Sequence, residues 1–492
     1  MKLRISFCLE STDILSLPNE LLLDFIFIYL HSTDLLDTFG QLNNCRLNGL
    51  LCTHIRHIDL SSTDSPIVSI DRWLSYFSSV KTNTVFSLRI NLDHFDYPLS
   101  GIFPRLNRLD LRMTTISEKV SQMIDLTRIK VFSITFISDK SERIKGLVSS
   151  IWHPNSCLER LSTSNCFILD KNDLLSPSSH TLLINRNLTH LSLDLVHISL
   201  AIVLMPFVPT LEHFQLRLHN VYNQISVFES KFLEKQLEWP TKVRSLRVIA
   251  NDQLMDTTSF CAFVKRFSSS LDYLSFYFGT PQRFLMSGWR KLEEHLLDYI
   301  PHLKHIEFCV HSGLINIEGD RRRNFDHWTK KEVISIFHSH RFLTRFTMPY
   351  SFDRLDYVCN DFLDYHCNYH QSNNTLSFPS IVMITFSTFD KLTLALFTFI
   401  RQTCSSLRRL RFKNTCRLND DLIQNTTLTL TTVTELCLSD VPSVDFPVLC
   451  RLLSLLPYLK HLTARRRHIT VIDNINNDTN VLGHIIKVKI VE

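Results

Sequence analysis

One short unit recurs along the chain. It is an apolar residue, two of any kind, an apolar residue, one of any kind and a third apolar residue. It begins at Ile55, Val85, Leu106, Ile129, Leu158, Leu188, Leu211, Val243, Leu271, Leu303, Leu343, Ile381, Leu407, Val433 and Leu459. Ile486, Val488 and Ile490 form a candidate last strand of the same kind. Alternation across the second half of the unit predicts a strand with one buried face. The starts are spaced by about 29 residues on average, and the last four by a steady 26. The steps from 303 to 343 and from 343 to 381 are longer and carry insertions. Between the units, Glu118–Leu126, Phe228–Trp239, Phe260–Phe267, Trp289–Ile300, Lys330–Phe337, Leu392–Cys404 and Phe446–Leu456 place apolar residues three and four apart, which predicts helices. Pro206, Pro209, Pro240, Pro301 and Pro457 fall near their ends, where a helix must stop. A strand and a helix per unit predict an α/β repeat array: parallel strands inside, helices outside.

The N-terminal pattern is different. From Leu21 to Leu30 only Asp24 is polar, so a helix here has no water-facing side and must be covered all round. It is far too short to span a bilayer. Pro18 suits the first position of that helix and Glu20 its positive end. A second helix is expected from Ser32, Thr33 or Asp34, with Leu35, Leu36, Phe39 and Leu42 as its stripe. A third carries Leu47, Leu50 and Leu51. Three small helices cover one side of the first and leave apolar surface for a partner.

Leu17-Pro18-Asn19-Glu20-Leu21-Leu22, then Phe25, Ile26, Tyr29 and Leu30, then Asp34-Leu35-Leu36, resemble an F-box. Many members carry a tryptophan in the third helix; this chain has Asn44-Cys45-Arg46-Leu47-Asn48 there. The repeating unit resembles the leucine-rich repeats of F-box proteins, whose period runs roughly 20–29 residues. The Asn or Cys of that repeat is mostly missing, Cys166 being one match. The resemblance implies an N-terminal tail over residues 1–13, a three-helix F-box over 14–60 and a leucine-rich-repeat solenoid over 61–492, about 15 irregular repeats in a horseshoe.

Composition narrows the function. With 9 glycines in 492 residues there is no Gly-rich phosphate loop. There is also no nucleophile elbow and no His-Glu-x-x-His. The 13 cysteines are scattered and odd in number, which reads as reduced thiols in cytosol or nucleus. No run of 18 uncharged apolar residues exists, so no membrane span is expected, and the first ten residues are too short an apolar run for a signal peptide. A net charge of +5 falls well short of a nucleic-acid coat.

Strand side chains alternate, so the position before the second apolar residue of each unit forms a column on the open face. Four of these are Arg and five are His, against one acid. The neighbouring column adds Arg89, Arg247 and Arg411, against Asp59, Asp110 and Glu307. A face biased to one sign attracts the other. The candidates for target binding are Arg108, Arg160, His190, Arg247, His305, Arg345, Arg409 and Arg411, with Arg408 and Lys413 beside the last two. Cys359, His366, Cys367 and His370 have no standard zinc spacing and read as a polar loop, so no metal or cofactor is expected. Arg321-Arg322-Arg323 and Arg465-Arg466-Arg467-His468 read as solvated loops, with nuclear or nucleic-acid signals as the alternative.

The resemblance implies a non-catalytic substrate receptor of an SCF-type ubiquitin ligase, acting in ubiquitin-dependent protein catabolism. Leu17, Pro18, Leu21, Leu22, Ile26, Leu30, Leu35 and Leu36 would face the SKP-type adaptor, and through it the cullin–RING core. The repeats would hold a protein target, acidic or phosphorylated. The alternative is a repeat scaffold outside any ligase, whose N-terminal helices only cap the first repeat.

Overall fold

The computed structural model describes residues 17–27, 30, 32–39, 44–60, 85–91, 99–113, 124–136, 142–143, 147–153, 155–167, 184–196, 198–219, 239–255, 257–280, 296–312, 333–337, 343–367, 376–387, 390–466, 468 and 487–491. The fold is mixed α/β, with a large parallel-dominated sheet and few helices among the described residues. Compactness divides the chain into two units, Met1–Arg217 with Val227–Val243, and Leu218–Ser226 with Arg244–Glu492.

The first unit opens with three helical segments. Asn19–Leu21 is one α turn, and it widens into a π turn over Leu22–Ile26. Pro18 stands just outside the first helical residue, with ψ at 151°, rather than inside the helix as its sequence position suggests. Its carbonyl still receives the Leu22 N–H at 3.1 Å. Ser32–Phe39 follows, then Cys45–His54. Asn44 caps the last helix, its side chain accepting from the N–H groups of Arg46 and Leu47. Arg46 reaches back 27 residues to the Asn19 side chain at 2.8 Å and also bonds the Leu17 carbonyl. It thus ties the third helix to the first. Phe27 packs against Phe39 and His54, with ring centres 5.5 and 5.7 Å apart.

Parallel strands then stack in chain order: His57–Leu60, Ser87–Asn91, Arg108–Met113, Val131–Phe136, Arg160–Ser164, His190–Leu195 and His213–Leu218. The register lines up the expected column: His57 opposite Ser87, Ser87 opposite Arg108, then Val131, Arg160 and His190. One device recurs at the strand starts. A single carbonyl accepts two successive N–H groups of the next strand, as Phe86 does from Asn107 and Arg108. Thr189 does the same for Glu212 and His213. Leu88, Leu109, Phe132, Leu161 and Leu191 are buried on the inner side. Thr163 takes an apolar slot there, and its hydroxyl accepts the Asp194 N–H at 2.8 Å.

In the second unit Ser245–Leu254, Tyr273–Thr280 and His305–Ser312 continue the parallel pattern. Then it breaks. Leu343–Thr347 runs antiparallel to His305–Ser312, and Val333–Phe337 pairs antiparallel beside it. Within the helix expected over Lys330–Phe337, Val333–Phe337 is therefore a strand, and residues 330–332 lie outside the described residues. Val333, Ile334 and Ile336 are β-branched, and they pack better on a pleated surface than in a helix. Arg354–Val358 starts a second parallel sheet with Met383–Phe386, Arg409–Lys413, Glu435–Asp440, His461–Arg465 and Lys487–Val491. Thr257–Lys265, Leu394–Thr403 and Phe446–Leu455 are helices near their expected limits. Ile198–Leu204, in the first unit, is a helix the sequence pattern did not single out. Residues 118–123, 228–238 and 289–295 of the other expected helices lie outside the described residues, and Leu297–Tyr299 is a 3-10 turn.

Candidate functional site

At the N-terminus the eight expected adaptor residues divide by exposure. Leu22 and Leu35 are fully covered by the chain itself. A contact through them would need the segment to open, so they serve the interior. Leu21 is 41 % exposed and Leu30 36 %, and both are among the large apolar residues left in water. Pro18 is exposed, and Leu17 and Ile26 are half-buried. Leu36 lies on the helix Ser32–Phe39, and its side chain is outside the described residues.

The open face of the first unit carries Arg108 and Arg160, both exposed, and His190, half-buried. It is not uniformly basic, because acids on adjacent strands interleave. Arg89 donates through Nε to Asp110 at 2.7 Å and through Nη1 to Asp59 at 3.2 Å. The Asp110 carboxylate holds that guanidinium firmly in its charged form. Lys130 pairs with Glu159 at 2.7 Å. A cavity of about 350 Å³ opens above the first strands, with Leu30 on its wall and Asp59, Arg89, Arg108 and Asp110 around it.

In the second unit the face is partly closed. Ser275, Tyr277, Thr344 and Thr385 are buried, and Phe352 lies 5.4 Å from the Arg247 guanidinium. Glu307 accepts from the Tyr273 hydroxyl and from the Ser351 hydroxyl, the latter at 2.6 Å. Burial pushes the Tyr273 phenol up to about 12, and Glu307 adds to the rise. His305 stays exposed. Arg345 does not belong to an open face. All five residues of Leu343–Thr347 are buried, because that strand runs antiparallel between two others and is covered on both sides. Arg409 is paired with Glu435 on the next strand, and Arg411 donates through Nη2 to Asp440 at 2.7 Å. The C-terminal basic group is therefore partly neutralised by neighbours the spacing did not reveal as partners. Arg408 beside it is exposed.

A buried polar network lies where the strands change direction. Asp356 accepts from both Nε and Nη2 of Arg354 at 2.9 Å and from the Tyr277 hydroxyl at 2.6 Å. His311 Nε2 is 3.2 Å from the Tyr277 oxygen, and its Nδ1 is 3.0 Å from the Thr344 hydroxyl. Burial alone would push the Asp356 carboxyl up; the Arg354 guanidinium reverses this and holds it below the usual carboxylate range. These residues are sealed from solvent and can act on the fold, not on a substrate. Arg354 and Asp356 share one strand, but Tyr277, His311 and Thr344 come from three others, so nothing in the spacing marked them as a group.

Cys359 is buried, its thiol 3.3 Å from an Asp361 oxygen, and burial pushes it well up. His366 and Cys367 form a two-residue strand against Ile334 and Ser335, which uses them as backbone. Among the described residues no group of three metal-ligating side chains converges. His370, Arg321, Arg322, Arg323 and Arg467 lie outside the described residues. Among the described residues, no helix is long and apolar enough to cross a membrane.

No model of a known protein family matches the chain, and no curated protein matches it.

Proposed function

We propose that the chain is a substrate receptor of an SCF-type ubiquitin ligase. Its N-terminal helices dock on the SKP-type adaptor, and its stacked strands hold a protein target. It is not itself an enzyme. The observation that carries the reading is the apolar surface of a motif-bearing segment. Leu21 and Leu30 lie in water on a stretch that resembles an F-box, while their neighbours Leu22 and Phe27 are buried. Isolated exposed leucines are ordinary; two on one short segment with that motif are what an adaptor face would need.

The test separates the two leucines. Leu21→Asp removes burial worth about 2 kcal/mol at an interface, roughly a thirtyfold loss of adaptor affinity, and leaves thermal stability nearly unchanged. Leu22→Ala truncates a covered side chain and lowers stability by about 2–5 kcal/mol instead. Adaptor titration with parallel thermal melts reads both. Wild-type protein that does not bind the adaptor, or Leu21→Asp protein that binds as well as wild type, removes the receptor reading.

A second reading has its own support. The same helices pack on one another through Phe27, Leu35, Phe39 and Leu51, and the third runs directly into the first strand. A repeat scaffold that uses them only as a cap would show no adaptor binding. Deleting residues 1–54 would then unfold the first strands.

A further inference from the structure

The cavity on the first unit's open face measures about 350 Å³, at the lower end of the range of ligand sites. Arg89 is fixed at its base between Asp59 and Asp110. The Arg89 guanidinium is thus committed to carboxylates of the chain itself. Arg108 stands two residues before Asp110 on the same strand, so both are on one face. It is exposed and has no ion-pair or hydrogen-bond partner for its side chain among the described residues. His57, Ile58, Ser87 and Leu30 complete the lining.

This charge pattern selects among anions. A guanidinium fork takes a carboxylate in two parallel hydrogen bonds. A phosphate dianion brings a second negative charge towards the Asp110 carboxylate, two residues from Arg108 on the same strand. Leu30 gives a methylene chain an apolar wall. We propose that this cavity is a recognition subsite for the carboxylate side chain of an acidic residue in a bound protein segment, that Arg108 is its anchor, and that it disfavours phosphorylated side chains. The proposal rests on the receptor reading only in taking the carboxylate to be part of a target protein.

The test uses the full chain labelled at leucine and isoleucine methyls, titrated with three probes. These are N-acetylglutamate amide, N-acetylglutamine amide and N-acetylphosphoserine amide. The glutamate probe should shift the Leu30 and Ile58 methyls saturably. The glutamine probe should bind at least about tenfold more weakly, and the phosphoserine probe no more tightly than glutamate. Arg108→Gln, a change at an exposed position, should weaken the glutamate probe at least about tenfold. Asp110→Asn should move the preference towards phosphoserine. No saturable shift with glutamate overturns the proposal. So does equal binding of glutamine, tighter binding of phosphoserine, or an unchanged affinity in Arg108→Gln. Adaptor binding without any glutamate response removes the subsite alone. A glutamate response in a chain that binds no adaptor removes the ligase reading and leaves the subsite.

Discussion

His190 and His213 stand on adjacent strands with their rings stacked, centres 4.3 Å apart and planes 23° from parallel. Thr189 places its hydroxyl 2.9 Å from His190 Nδ1. Arg160 lies opposite His190 on the strand before it. Burial lowers the His190 pKa from its ordinary 6.5, and the positive charges of His213 and Arg160 lower it further, against a weaker opposing pull from Glu212. A base with a lowered folded pKa binds fewer protons folded than unfolded across the window between the two values. Stability then rises with pH through that window, is complete above about pH 6.5, and falls as the pH drops below it. His190→Gln removes this group from the balance. The melting temperature of the wild type should therefore fall more between pH 7 and pH 5 than that of His190→Gln. Equal pH slopes in the two proteins would show that the stacked pair carries no such penalty. The same residue illustrates what a column of side chains hides. Its place on the open face follows from alternation, while the stacking depends on which rotamers two neighbouring strands select.

At the scale of elements, the parallel order breaks after His305–Ser312, and a buried polar network lies at the break. After His305–Ser312 the parallel ladder gives way to antiparallel strands, and a new parallel sheet begins at Arg354–Val358. Tyr277 on one side and Asp356 on the other are joined directly, and Arg354 neutralises the acid. Asp356→Ala leaves Arg354 buried without its carboxylate and should cost about 3–5 kcal/mol. Tyr277→Phe removes one hydroxyl that both donates to the carboxylate and accepts the Asp356 N–H, and should cost about 1–3 kcal/mol. Urea unfolding of the two variants reads the difference. Costs within about 0.5 kcal/mol of wild type would mean the network is only tolerated, as many exposed pairs are. The parallel part of this architecture was legible. Fourteen strands begin two residues after the first apolar residue of a unit, because alternation alone decides which side chains can be buried. The unit at Leu343 has the same letters and makes a strand of the opposite sense. Strand direction depends on the partner edge, which lies about thirty residues away and leaves no local mark. Lys330–Phe337 misled for a related reason: its apolar spacing also suits a short, fully buried strand. At the candidate site the alignment of the column was legible except at Arg345, but the pairing of Arg409 with Glu435 and of Arg411 with Asp440 was not, since it depends on register.

Where strands stack in chain order, as they do through most of both units, each draws most of its support from the two beside it. In the first unit Arg108–Met113 lies between Ser87–Asn91 and Val131–Phe136. In the second, Arg409–Lys413 lies between Met383–Phe386 and Glu435–Asp440. Stability in such an array is close to a sum of local and nearest-neighbour parts. Leu109 and Leu410 are both fully buried, so truncating either to Ala should cost about 2–5 kcal/mol. The two losses should appear in different places. Leu109→Ala should speed backbone hydrogen exchange across its own strand and the two that flank it, and leave Arg409–Lys413 at the wild-type rate. Leu410→Ala should do the reverse. Local opening is read directly by exchange rates, which range from fraying segments up to the global unfolding limit. Uniform acceleration across both units from either substitution would mean that the chain opens as one cooperative body. Nearest-neighbour support would then be the wrong account of how these strands hold together, however regular their register.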